Sequence, residues 1–131
     1  MKNYGESGKK KLKMSEIFNP KVAKIWAEYN TNRDIITKIL ELSKNNHLSI
    51  KHKRTLFNMI KNSNRTEKQK SRFIKFYNLD INNQYDYTLT SLSRECGCRV
   101  SAIKFSLMSV ITYTLLNNDE NMKILQNIID E

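Results

Sequence analysis

At 131 residues, with Lys plus Arg 23 against Asp plus Glu 13 and a formal charge of +10, the chain is one domain or one domain with a short appendage. Hydrophobic residues make up 39%, enough for a core, which excludes wholesale disorder. No apolar run reaches the roughly 18–20 residues of a membrane span and no apolar signal segment opens the chain, so a soluble, cytoplasmic protein without a membrane partner is expected.

Gly 3 and Pro 1 disfavour a turn-rich all-β fold and point to helices with short polar connections. Residues 1–13 (MKNYGESGKKKLK) are almost free of apolar side chains and read as a basic flexible tail, with Lys9-Lys10-Lys11 as an optional phosphate contact. Asn19 is a good N-cap and Pro20 suits a first helical position. Val22, Ile25, Trp26 and Tyr29 then fall on one helical stripe. Thr31-Asn32 are expected to interrupt it. A second helix follows from about Arg33 to Asn45, with Ile35, Ile36, Ile39, Leu40 and Leu42 inward. Ser49 caps a helix over about 50–62, with Ile50, Leu56, Phe57 and Ile60 as its apolar face and Lys51, Lys53, Arg54 and Lys61 around it. Residues 14–65 therefore read as a basic helical module.

Thr66 caps a helix expected over 67–78, with Phe73, Phe76 and Tyr77 to one side and Lys68, Lys70, Arg72 and Lys75 as its charges. Residues 80–86 (DINNQYD) are a polar loop. Thr88 caps a short helix in which Leu89, Leu92, Ser93 and Cys96 repeat on one side, and Gly97 ends it with a positive φ. A longer helix is expected over about 100–116, with Ile103, Leu107, Val110, Ile111 and Leu115 buried. Asn118 caps the last helix, whose stripe is Met122, Leu125, Ile128 and Ile129. The fold class is all-α, a helical bundle.

The segment TLTSLSRECGCRVSAIKFSLMSVI, residues 88–111, has the parts of a helix-turn-helix. A short helix is followed by a glycine turn and a longer amphipathic helix, with small Ser93 at the crossing point and Cys98 turned inward. Residues 66–116, from TEKQKSRFIKFYNLD onward, resemble region 4 of sigma-70-type RNA polymerase sigma factors and their short sigma-like relatives on phages and other mobile elements. The resemblance implies a C-terminal helix-turn-helix domain over 66–131 that binds promoter DNA, and RNA polymerase as a second partner. Departures from that pattern are Arg99 at the usual Ser/Thr cap, Ser93 for the usual alanine, and apolar Val100, Phe105 and Met108 outward. No counterpart of the strand-opening region 2 is present.

Charge is polarised along the chain: residues 1–75 carry 19 basic and 6 acidic side chains, residues 76–131 only 4 and 7. That asymmetry suits a polyanion, so double-stranded DNA is the expected partner, although a lysine-rich solvated surface would give the same balance. The candidate base-reading set is Arg99, Val100, Ser101, Lys104, Phe105 and Met108, joined by Thr90 and Ser91 of the shorter helix. Lys51, Lys53, Arg54, Lys68 and Arg72 are candidate phosphate contacts. Phe105 and Met108 have three open readings: thymine methyl contacts, a homodimer or partner surface, or core if the helix is phased one residue differently.

Cys96, Cys98, His47 and His52 do not complete the spacing of a zinc module, and a disulfide across two residues would be strained. No nucleophile–base pair or glycine-rich phosphate loop stands out, so no enzyme, metal or cofactor is expected. The function expected is sequence-specific DNA binding in transcription control. The alternatives are a protein-binding module that inhibits or redirects host machinery, and a DNA-maintenance adaptor of a plasmid or phage.

Overall fold

The computed structural model describes residues 20–131 as α-helices with short connections, and no strand occurs among the described residues. The basic tail 1–13, its lysine run and the Asn19 cap lie outside the described residues. The helices are α1 (Pro20–Lys44), α2 (Ile50–Lys61), α3 (Glu67–Phe76), α4 (Leu89–Cys96), α5 (Val100–Val110) and α6 (Asp119–Asp130). A π-helical segment, Ile111–Leu116, continues α5. Among the described residues no single helix is long and apolar enough to cross a membrane.

The expected break at Thr31-Asn32 does not occur; α1 is continuous over 25 residues. Neither residue is a breaker in the sense of Gly or Pro, and each costs a helix less than about 0.7 kcal/mol. The Thr31 hydroxyl donates to the Ala27 carbonyl at 2.9 Å, so it bonds back within the helix and does not stop it. Compact units divide at this point of the chain, up to Thr31 and from Asn32 onward. In the first unit Val22 is half-buried, but Ile25, Trp26 and Tyr29 are exposed, against the expectation of a buried stripe. Periodicity says which residues share a face; it does not say that another element lies against it.

The second unit holds one continuous core. Ile35, Ile36, Ile39 and Leu40 of α1 join Leu56 and Ile60 of α2, Phe73 and Ile74 of α3, Leu92 of α4, Ile103, Leu107 and Val110 of α5, Leu115, and Met122 and Leu125 of α6. The expected boundary at 65/66 runs through the middle of this cluster. Ile50 was expected on the buried face of α2 but is exposed, because it occupies the first helical position, ahead of the turn that packs.

Helix ends follow local chemistry. Ser49, Thr66, Thr88 and Asn118 each accept a hydrogen bond from the backbone amide three residues on. Thr88 and Ser91 cap each other reciprocally. Three helices end in the same left-handed closure. At α4, Gly97 has φ 66° and Cys98 N donates to Ser93 O at 3.0 Å. At α1, Asn46 has φ 60° and His47 N donates to Leu42 O at 2.7 Å. At α3, Asn78 has φ 60° and Leu79 N donates to Ile74 O at 3.0 Å. Asparagine tolerates this conformation better than other side-chain-bearing residues. Asn78 therefore ends α3 at Phe76, two residues short of the expected boundary at 78.

The two asparagines also bond each other, Asn78 Nδ2 donating to Asn46 Oδ1, while Asn78 Oδ1 accepts from Tyr85 N at 2.8 Å. Lys44 completes the hub. Its Nζ donates to Phe76 O at 2.9 Å and Tyr87 O at 2.8 Å and sits 3.6 Å from the Phe76 ring centre. Burial holds the Lys44 pKa below the ordinary lysine range, and Asp86 partly offsets this. The ends of α1 and α3 and the loop that leads to α4 are thereby tied at one place.

A Cβ at position 97 would meet nothing within 4 Å, so a substitution there tests backbone conformation alone. Gly97→Ala is expected to lower stability by about 1–2 kcal/mol, and Gly97→Asn by visibly less. Urea denaturation followed by circular dichroism measures both. Equal losses would mean that left-handed strain is not what the glycine relieves.

Candidate nucleic-acid interface

α4 and α5 are joined by Gly97, Cys98 and Arg99, and the chain turns through 102° between them. Two-helix DNA-reading units cross at roughly 90–120° with a turn of this length. The angle is held from inside. Ser93 is buried beside Leu92, and its hydroxyl donates to Thr90 O at 2.7 Å, which satisfies the one polar group at that buried position. Cys96 and Cys98 are free, half-buried thiols packed against the core. Among the described residues no three His, Cys, Asp or Glu side chains gather closely enough to hold a metal.

The rotation of α5 about its axis is set by its contact with α3. Ser106 and Ser109 are buried, and each accepts from an arginine. Arg72 Nη1 donates to Ser106 Oγ at 3.0 Å, and Arg65 Nη1 to Ser109 Oγ at 3.2 Å. Ser106 passes its own proton to Ala102 O at 3.0 Å and Ser109 to Gln69 Oε1 at 3.4 Å. With Ile103, Leu107 and Val110 buried beside the serines, the opposite side of α5 must face outward. There lie Ser101, Lys104, Phe105 and Met108, the last two 69% and 57% exposed. The reading in which Phe105 and Met108 are core is thus excluded.

Arg99 is exposed and caps α5 without a side-chain hydrogen bond, unlike the residues that cap α2, α3, α4 and α6. Val100 is half-buried. Thr90 is exposed, and Ser91 is half-buried and engaged with Thr88. The structure therefore brings Ser101, Lys104, Phe105 and Met108 onto one exposed face of α5, and Arg99 is exposed at the cap that precedes it.

The candidate phosphate contacts divide. Lys51, Arg54 and Lys68 are exposed. Lys53 is not a surface cation of that kind: it is buried, and its amine donates to Asn46 Oδ1 at 3.4 Å. Arg72 is likewise committed inside the fold, to Ser106, with its Nε buried and without a partner. Both were expected outward because charge usually marks solvent. Here the long apolar stem packs and the head bonds a neighbouring polar atom.

A second charged group flanks the unit. Lys75 donates to Glu95 at 2.8 Å, and the Tyr87 hydroxyl donates to the same carboxylate. The Lys75 and Tyr87 bonds hold the Glu95 carboxyl below the ordinary range, and the bond to Glu95 raises Lys75.

Arg65 and Tyr113 were not singled out by sequence. Arg65 lies over the Tyr113 ring at 4.6 Å from its centre. The two are far apart in the chain, and no local pattern signals a stacked pair. The expected helix over 100–116 contains Tyr113, but past Val110 it widens. Asn117 N donates to Thr112 O at 3.0 Å, a π-type bond that shifts the side chains of residues 111–116 relative to an α-helix.

No family model matches the chain, and no curated protein or solved structure is significantly similar to it.

Two outcomes are expected. Phe105→Ala should leave the urea midpoint almost unchanged, whereas Ile103→Ala should cost about 2–5 kcal/mol; comparable losses would mean that α5 is rotated. The Glu95 bonds contribute above the unfolded carboxylate pKa and fade as pH falls through the lowered folded value. A carboxyl NMR titration should show Glu95 titrating below the ordinary range, and Lys75→Met should move it back up.

Proposed function

We propose that the chain is a sequence-specific DNA-binding regulator of transcription in which α4, the 97–99 turn and α5 act as a helix-turn-helix. α5 enters the major groove. Arg99, Ser101 and Lys104 meet base edges and phosphates, and Phe105 and Met108 meet thymine methyls, the apolar feature of that groove. The observation that carries this reading is the outward face of α5. Basic, hydroxyl and large apolar groups share one exposed surface on a helix whose other side is locked into the core. Large apolar side chains standing free on a helix usually meet something. The amides at the start of α5, which Arg99 does not cap, suit a backbone phosphate.

The resemblance of residues 66–116 to sigma region 4 supports the same reading and adds RNA polymerase as a second partner. Lys51, Arg54 and Lys68 supply attraction to the duplex without sequence preference. A protein-binding reading keeps one specific observation in its favour, the exposure of Phe105 and Met108. In that case the surface serves another copy or a different protein.

The test begins by enriching a random duplex pool on the protein and measuring affinity for the enriched and the starting pools at several salt concentrations. Affinity for both should fall steeply with salt. Lys104→Ala or Ser101→Ala should narrow the gap between pools by about 1–3 kcal/mol, while Lys51→Ala with Arg54→Ala should weaken both alike. Absence of binding at low salt ends the DNA reading. A Phe105→Ala change in apparent mass by light scattering, with DNA discrimination intact, selects the protein-binding one.

A further inference from the structure

A second polar surface lies at the far end of α5. A cleft of about 490 Å³ opens between the α2–α3 connection, the π-helical segment and the start of α6. Its walls carry Arg65, Tyr113, Asn62, Asn64 and Asn118, and Met59 adds an apolar surface. None of its lining residues is acidic. Asp119 and Glu120 follow Asn118 on α6, are exposed, and do not line it.

Arg65 is the centre of this cleft. Stacking on Tyr113 at 4.6 Å and the bond to Ser109 Oγ at 3.2 Å hold the guanidinium in one orientation. A guanidinium has five N–H donors, and this one makes no ion pair among the described residues. A planar cation fixed by stacking, with donors to spare and no carboxylate partner, matches the geometry of a phosphate. Side-chain amides of Asn62 and Asn64 add neutral donors at the rim.

We propose that this cleft binds a phosphate group, and that the phosphate belongs to the DNA strand beside the groove that α5 enters. The strand assignment rests on the proposed function; the phosphate site does not. Arg65 bonds the same helix whose other end carries Arg99, Ser101 and Lys104. At 1.5 Å per residue, Arg99 and Tyr113 stand roughly 20 Å apart along the axis, so one duplex can engage both ends. The cleft then fixes the tilt of α5 in the groove and carries no sequence information of its own.

The test uses the full chain, Arg65→Gln and Asn64→Asp. Gln keeps a donor for Ser109 while removing the charge. Asp leaves Arg65 and Tyr113 in place and brings a carboxylate into the cleft, so the test survives if Arg65→Gln folds poorly. Each variant is titrated with the starting duplex pool over a range of salt. Tyr113 ring resonances are followed by NMR as inorganic phosphate or adenosine monophosphate is added. If a DNA strand supplies the phosphate, both variants should weaken duplex binding roughly tenfold at low salt, equally for enriched and starting pools. The salt slope of Arg65→Gln should fall by about one. Unchanged duplex binding, with Tyr113 shifts on adding adenosine monophosphate that either variant abolishes, keeps the phosphate site and replaces the strand by a free nucleotide. If the wild-type chain binds no duplex, the proposed function fails, and the Tyr113 shifts alone judge the cleft. No shift, together with unaltered duplex affinity in a folded variant, overturns the proposal.

Discussion

The seating of α5 on α3 is the contact on which the rest of the second unit turns. Two serines on α5 stand where larger side chains would hold the helices apart, and each receives an arginine from the α3 side. A buried hydroxyl is costly unless bonded, and a buried guanidinium more so. The two hydroxyls are satisfied, accepting from the arginines and donating to Ala102 O and Gln69, while Arg72 Nε stays buried without a partner. Apolar packing of Phe73, Ile103, Leu107 and Val110 supplies most of the adhesion. It is non-directional, and would tolerate some rotation of α5 about its axis. The serine–arginine bonds have direction, so they select one rotation, and that choice leaves Phe105 and Met108 in solvent.

The same division of labour governs the other end of α3. Ile35, Ile36, Ile39 and Leu40 bring the C-terminal part of α1 into the core, but the register between helix ends is set by polar groups. Asn46 and Asn78 both take left-handed backbone conformations, close their helices and bond each other. Lys44 spans from the Phe76 carbonyl at the end of α3 to Tyr87, one residue before the cap of α4. α4 therefore starts at a point anchored to two other helices, and the 102° turn to α5 inherits that placement.

Legibility in the sequence followed the range of the interactions. Caps at Ser49, Thr66, Thr88 and Asn118 and the glycine at 97 depend on three or four consecutive residues, so a local pattern identifies them. The phase of α5 was legible only in part: Ile103, Leu107 and Val110 mark a buried side, but whether Phe105 and Met108 join the core stayed open until their exposure was seen. Long-range features were not. Thr31-Asn32 looks like a break, yet nothing local decides whether a helix of this composition continues. Lys53 and Arg72 are basic residues that the fold uses internally, and only the neighbours Asn46 and Ser106 reveal it. Asn78 lay within an expected helix because asparagine as a helix terminator is less distinctive than glycine. The Arg65–Tyr113 contact joins residues far apart in the chain, and Tyr113 lies in a π-helical segment that no spacing of apolar residues announces.

Charge distribution along the chain and charge placement in the fold are different quantities, and the difference bears on mechanism. The excess of basic residues before position 76 suggests a single cationic half. Within the second unit several of those cations are already engaged. Lys44 bonds backbone carbonyls, Lys53 bonds Asn46, Lys70 bonds Lys61 O, Arg72 bonds Ser106 and Lys75 pairs with Glu95. They contribute to the long-range potential, which depends on net charge, but are poorly placed to neutralise a phosphate at contact. In the proposed DNA complex, contact would fall to cations that are exposed or keep spare donors, among them Lys51, Arg54, Lys68, Arg99, Lys104 and the fixed Arg65. The salt dependence of that complex would follow this contact set and not the formal charge of +10. More of its binding free energy would then come from the apolar and hydroxyl groups of α5.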